Sequence, residues 1–265
     1  MSNLSRWILV GLVFLSIGSS AQQRPVFYEH SKQAWVDSVF NSLSEDERLA
    51  QLFMVAAYSN RDSAHVADLE KLITEQKIGG LIFFQGGPIR HANMLNHLQS
   101  VSDLPMMIAM DSEWGVGMRL DSTIDYPRSM TLGAIQDNKL LYEFGAETAR
   151  QMKRLGMHVN FAPVVDVNSN PDNPVIGTRS FGEDKVAVAQ KGIAVMKGMQ
   201  ENGVMACAKH FPGHGDTDSD SHLTLPIIKH NYTRIDTLEL YPFKEMIKEG
   251  IGSMMVAHLY IPELD

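Results

Sequence analysis

Six short apolar runs recur along this chain, at residues 52–57, 80–84, 106–110, 159–167, 204–208 and 253–257. Strands that read as continuous apolar runs are buried on both faces, as in parallel sheets covered by helices. Between most of them lie segments with helical spacing, at residues 64–76, 91–101, 138–155, 186–201 and 236–249. That alternation is the βαβ signature. Gly79, Gly156, Gly203 and Gly250 stand just before the next apolar run and suit the left-handed position that ends a helix. Upstream, Trp35, Val36, Val39 and Phe40 follow helical spacing, and Ser44-Glu-Asp-Glu47 has the form of a capping box ahead of Leu49, Leu52 and Phe53.

Ionisable side chains follow four of the six runs directly. Met110 leads into Asp111-Ser-Glu-Trp114, Val165 into Asp166-Val-Asn168, Ala208 into Lys209-His210, and Ala257 into His258. A (β/α)8 barrel builds its active site at the C-terminal ends of its strands, and a doubly wound sheet also binds ligands there. No Gly-x-Gly-x-x-Gly follows the first run, which disfavours the dinucleotide fold. The expected fold class is therefore α/β, a (β/α)8 TIM-type barrel. Only six strand–helix units are counted before Asp265, so the expectation is a barrel truncated after about six units, part of a longer polypeptide.

The densest chemistry lies in Lys209-His-Phe-Pro-Gly-His-Gly-Asp-Thr-Asp-Ser-Asp-Ser-His222. Its glycines and proline read as a loop, and its histidines and aspartates suit proton transfer, metal ligation or recognition of a polar ligand. The bland readings are as concrete. His214 shapes the loop, Asp216 and Asp218 are solvated charges, Asp166 braces a loop, Glu113 pairs with a neighbouring base, and His258 hydrogen-bonds in the barrel mouth.

Composition narrows the partners. With 23 basic and 31 acidic side chains the net charge is −8, and no clustered basic face of the kind nucleic acid requires is present. Residues 1–21 read as a signal peptide: Arg6, an apolar stretch from Trp7 to Ile17, and a Ser19-Ser20-Ala21 cleavage site. The stretch is shorter than the roughly 20 residues a bilayer span needs, so an exported protein, periplasmic or secreted, without a stable membrane span is expected. Residues 22–44 form an N-terminal arm and first helix, and residues 45–265 the barrel. Cys207 is the only cysteine, so no intrachain disulfide can form; its apolar run makes it a small buried hydrophobe. The sixteen methionines, Met106, Met107, Met205, Met254 and Met255 among them, read as core filler.

The stretch Lys209-His-Phe-Pro-Gly-His-Gly with Asp220-Ser-His222 resembles the signature loop of bacterial β-N-acetylhexosaminidases of glycoside hydrolase family 3. Three collinear stretches agree: Ile108-Ala-Met-Asp111-Ser-Glu with Arg119, Asn160-Phe-Ala-Pro-Val-Val-Asp166, and Gly177-Thr-Arg-Ser-Phe-Gly-Glu-Asp184. The resemblance covers residue 45 to the end. It implies retaining removal of terminal β-linked N-acetylglucosamine through a glycosyl-enzyme intermediate, with no cofactor and no metal. It implies His222 as acid/base oriented by Asp220, and Asp111, Arg119, Arg179, Lys209 and His210 as sugar-binding residues. His214, His258 and Trp114 are further candidates; Trp114 departs from the small residue expected there, and could stack on a sugar or narrow the site. The family's nucleophile, an aspartate after the seventh strand, has no counterpart here, and Asp265 is a poor candidate. The implied ligand is a saccharide containing N-acetylglucosamine, either a peptidoglycan fragment or a chitooligosaccharide.

Three alternatives stand beside this reading. A β-glucosidase of the same family would lack the His–Asp loop. A non-catalytic sugar-binding fragment would suit the missing nucleophile. A metal-dependent barrel hydrolase would use His210, His214, Asp220 and His222 as ligands, since catalytic zinc takes three protein ligands. Against the last, no His-x-His follows the first strand and Lys209 would repel a cation.

Overall fold

The computed structural model describes residues 27–28, 31–219 and 225–263. Residues 1–21, read above as a signal peptide, and Asp220, His222 and Asp265 lie outside these. Helices α1 (Ala34–Ser42) and α2 (Glu45–Ala50) come first. The capping box forms as expected: the Glu47 amide donates to Ser44 Oγ at 3.3 Å and the Ser44 amide to Glu47 Oε2 at 2.8 Å. Neither helix buries a residue, and Trp35, Phe40, Leu49, Leu52 and Phe53 are all exposed.

The series then runs β1 (Met54–Ala57), α3 (Ser63–Lys71) with a π-helical turn (Leu72–Gln76), β2 (Gly80–Phe83), α4 (Pro88–Ser100) and β3 (Met107–Met110). It continues through α5 (Ser129–Gly133), α6 (Asn138–Arg154), β4 (Val159–Asn160), α7 (Lys185–Glu201) and β5 (Met205–Phe211). Helix α8 (Tyr232–Arg234), a second π turn (Ile235–Glu239), α9 (Tyr241–Lys248) and β6 (Ser253–Val256) complete it. Aspartate side chains start α3, α6 and α7: Asp62, Asp137 and Asp184 accept from the amides of His65, Lys139 and Ala187.

All five strand pairings are parallel, and the sheet order is the sequence order, β1 to β6. A doubly wound sheet reverses its strand order at a switch point; this one does not, which makes it the curled wall of a TIM-type (β/α) barrel. The buried core lies between wall and helices, with Met106, Met110, Met152, Met196, Met199 and Met246 filling it. Met107, by contrast, is 46% exposed, and Met205, Met254 and Met255 are half-buried.

Three sequence expectations need correction. The run at 159–167 is not one strand: β4 ends at Asn160, because Pro163 has no N–H to give the ladder. Contact with β5 persists through single bonds, such as Val165 N to Lys209 O at 2.8 Å. Lys209 and His210 are not on a loop, since β5 extends through Phe211. Gly156, Gly203 and Gly250 do take positive φ, but at the end of the first π turn Lys77 does so instead of Gly79. Gly79 is required by a close approach: a Cβ there would lie 1.9 Å from the Gln51 carbonyl oxygen.

Helices α6 and α7 pack at a similar distance, and a Cβ on Gly198 would sit 2.1 Å from the Tyr142 carbonyl oxygen. Because the obstacle is backbone, Gly198→Ala must push the helices apart. The expected cost is roughly 1–3 kcal/mol, read as a lower urea midpoint at unchanged slope.

Candidate active site

At the C-terminal mouth of the wall, a cavity of about 520 Å³ is lined by Asp111, Glu113, Arg119, Arg179, Lys209 and His210, with Trp114, His214 and His258 also on its surface. All five expected sugar-binding residues are thus brought together, and the three further candidates join them. Lys209 and His210 are neighbours in a strand, where successive side chains ordinarily alternate faces. The β5–β6 register shifts between Lys209 and Phe211, and such an irregularity re-aims side chains, so both reach the cavity.

Lys209 is 2% exposed and donates from Nζ to Asp111 Oδ1 and Glu113 Oε1, both at 2.7 Å. Arg119 holds the other Asp111 oxygen at 2.9 Å. Arg179 grips Glu113 with both arms of its fork, Nε to Oε2 at 2.9 Å and Nη2 to Oε1 at 2.8 Å. Burial alone would raise the Glu113 pKa, but the charges of Lys209 and Arg179 outweigh it and hold the carboxyl at about 2. Glu113 does pair with a base, then, but with two at once. Asn160 fixes the loop that carries these acids: its Oδ1 accepts the Ser112 amide at 3.0 Å and its Nδ2 donates to the Ser112 carbonyl at 3.3 Å.

Asp166 is 0% exposed and braces the start of the loop after β5. It accepts the His210 amide at 3.2 Å, the His214 amide at 2.6 Å and faces His210 Nδ1 at 2.7 Å. Burial pushes its pKa up, yet His210 and these amides pull it below the usual carboxylate value. The His210 Nε2 then lies 3.3 Å from Arg179 Nη2, so one contact network runs from Asp111 to Asp166.

Sequence reasoning missed Asn173, which is 6% exposed. Its Oδ1 accepts the Val175 and Ile176 amides at 2.9 and 2.8 Å, while its Nδ2 donates to the His214 carbonyl at 2.8 Å and Thr217 Oγ1 at 3.2 Å. It ties the loop after β4 to the loop after β5. Its only sequence signal was an Asn in a polar, proline-containing turn. Asp216 is not a solvated charge as expected: it pairs with His230 and accepts from Ser169 Oγ at 3.1 Å. Asp218 is exposed. Trp114 is half-buried with the Arg128 guanidinium 4.3 Å over its ring, and His258 is exposed on the rim. Cys207 is 2% exposed, and burial pushes its thiol pKa up. Among the described residues, no group of three His, Cys, Asp or Glu side chains converges as metal ligands, and no helix is long and apolar enough to cross a membrane.

A family model described as the glycosyl hydrolase family 3 N-terminal domain matches residues 44–265. The chain belongs to glycosyl hydrolase family 3. It is 39% identical over 212 residues to beta-hexosaminidase A of Pseudoalteromonas piscicida, covering 75% of this chain and 36% of that protein. It is 34% identical over 208 residues to a beta-hexosaminidase of Thiobacillus denitrificans, covering 75% and 58% respectively. Among solved structures it is similar to a glycoside hydrolase family 3 beta-N-acetylglucosaminidase from Paenibacillus sp. str. FPU-7, with TM-score 0.78, 38% identity, and coverage of 84% of this chain and 43% of that one. The chain thus spans less than two thirds of the length of these relatives.

The charge on Glu113 gives a pH test. Its folded-state pKa of about 2 lies below the ordinary 4.5, so its ionisation stabilises the fold above pH 4.5 and that contribution is lost as pH falls towards 2. At pH 7 wild type is expected to exceed Glu113→Gln in unfolding free energy by on the order of 3 kcal/mol. Urea titrations should find the gap constant from pH 7 to about 5 and closing below 4.5.

Proposed function

We propose that the protein carrying this chain is a retaining exo-glycosidase that removes terminal β-linked N-acetylglucosamine. The observation that carries this reading is Asp111 clamped between Lys209 and Arg119 at the strand mouth. Each Asp111 oxygen accepts one cation donor and keeps a second lone pair, and the Lys209 ammonium uses two of its three protons. That leaves paired acceptors beside a donor, the pattern adjacent sugar hydroxyls require. The names of the relatives, beta-hexosaminidase and beta-N-acetylglucosaminidase, support the same substrate class.

In this mechanism Lys209, Arg119 and Asp111 hold the terminal sugar, with Arg179 and His210 completing the site. His222 protonates the leaving oxygen and later deprotonates water, and Asp220 orients its ring. This assignment rests on the sequence of the loop. Imidazole suits both halves of the reaction because it titrates near neutral pH, and a carboxylate partner stabilises the imidazolium. The retaining reaction also needs a nucleophile. Asp111 and Glu113 are each tied up by two cations, and Asp166 is wholly enclosed. None is free to attack a sugar carbon, so we assign the nucleophile to a carboxylate outside the described residues. The apolar leader with its small-residue cleavage site supports export, and the substrate is a saccharide bearing N-acetylglucosamine, whether from peptidoglycan or chitin.

The test is chromophore release from an aryl N-acetyl-β-glucosaminide by the full-length protein. Turnover is expected, insensitive to chelators, and reduced by roughly 10²- to 10⁴-fold in His222→Ala. Preference for the aryl β-glucoside would favour the glucosidase reading. Binding without turnover would favour a sugar-binding module, and loss of activity to a chelator would favour a metal-dependent hydrolase.

A further inference from the structure

One buried group in the cavity has no task in the scheme above. His214 is 1% exposed, lines the same cavity as Lys209 and His210, and its ring lies 5.9 Å from that of His210. Among the described residues its Nε2 has no hydrogen-bond partner. Leaving a buried polar atom unsatisfied costs roughly 1–3 kcal/mol, so an unpaired ring nitrogen in a ligand cavity points to a ligand atom.

The surrounding bonds decide whether that nitrogen gives or takes a proton. Thr217 Oγ1 has three partners: His214 Nδ1 at 2.7 Å, the His214 carbonyl at 3.0 Å and Asn173 Nδ2 at 3.2 Å. A hydroxyl has one proton and two lone pairs. Asn173 Nδ2 can only donate, which takes one lone pair. The carbonyl can only accept, which takes the proton. The remaining lone pair must then accept from Nδ1, placing the ring proton on Nδ1. The opposite choice would leave two oxygens in contact at 3.0 Å with no proton between them. Burial, with help from the charges of His210 and Arg179, lowers the His214 pKa against the pull of Asp166, so the ring stays neutral. Nε2 is therefore a bare lone pair.

The carboxylates facing the cavity, Asp111 and Glu113, are already engaged by cations, and His210 Nε2 faces the Arg179 guanidinium, while Lys209 and Arg119 keep N–H groups free to donate. A neutral acceptor among them matches a neutral donor, and an acetamido N–H is one. Resting on the glycosidase reading, we propose that His214 accepts a hydrogen bond from the substrate's N-acetyl N–H through Nε2 and thereby sets the preference for N-acetylglucosamine over glucose. The carbonyl of the same acetamido group is left for the cationic donors.

Two variants separate this role from a structural one. His214→Asn keeps a donor near the Nδ1 position for Thr217 but removes the distal acceptor. His214→Gln can return an amide oxygen close to where Nε2 lies. The readout is the ratio of kcat/KM for an aryl N-acetyl-β-glucosaminide to that for the aryl β-glucoside, in full-length protein whose urea midpoint is checked for each variant. The expected result is a ratio lowered by about 5- to 50-fold in His214→Asn, carried mainly by the N-acetyl substrate, partly restored in His214→Gln, with the pH profile unmoved. An unchanged ratio in a folded His214→Asn overturns the proposal, as does equal loss on both substrates with one limb of the pH profile removed. A wild-type protein that turns over neither substrate sinks the glycosidase reading itself, a distinct outcome.

Discussion

The Lys209 ammonium, buried against Asp111 and Glu113, is the contact on which the rest of the mouth depends. It joins β5 to the loop after β3 across 98 residues of sequence. Through Glu113 it also fixes Arg179, and through Asp111 it fixes Arg119. Strand β5 and the loops after β3 and β4, from three different strand–helix units, are thereby brought to one charge cluster. Their backbones lock onto each other through Asn160 and Asn173, but it is the lysine that gives the acids a reason to converge.

The cluster's value is not chiefly stability. Taking ions out of water costs several kcal/mol each, and a buried pair replaced by well-packed apolar groups is often no less stable. What the apolar replacement could not supply is a set of donors and acceptors already oriented when ligand arrives. Such preorganisation is where electrostatic stabilisation of a reaction comes from. The barrel wall supplies rigidity: Lys209 sits in a strand that is buried for most of its length, so its ammonium has little freedom to follow the ligand.

The fold was legible because strand burial leaves a strong trace. Each of the six apolar runs became a strand within a few residues, except the fourth, where Pro163 broke the ladder. Parallel pairing in sequence order follows from the alternation with helices. That Asp111, Arg119, Arg179, Lys209 and His210 would gather around one cavity was legible for a different reason: they sit in motifs at or just beyond strand ends. What could not be read were contacts between loops. That Asn173 would bond two amides, a carbonyl and a hydroxyl depends on two turns about 40 residues apart meeting, which no local pattern encodes. Asp216 looked solvated for the same reason, since its partner His230 lies 14 residues on, past a stretch of sequence with no periodicity. Gly79 shows that the right residue type can be forecast for the wrong cause: close approach, not a helix end, excludes a side chain there.

Those loop contacts matter for the segment that carries Asp220 and His222. On its leading side the chain is pinned by Asp166 to the His214 amide and by Asn173 to Thr217. Asp216 also meets His230, so described residues on either side of 220–224 are held to each other. An acid/base borne on a long free loop would pay an entropic cost each time it found the leaving oxygen. On the proposed assignment of His222, holding the flanking residues together would shorten that search. The same bonds that orient His214 Nδ1 are part of that anchor, because Thr217 serves both. On the two proposals above, recognition at Nε2 and the anchoring of the chain that leads to His222 would share one hydroxyl, that of Thr217.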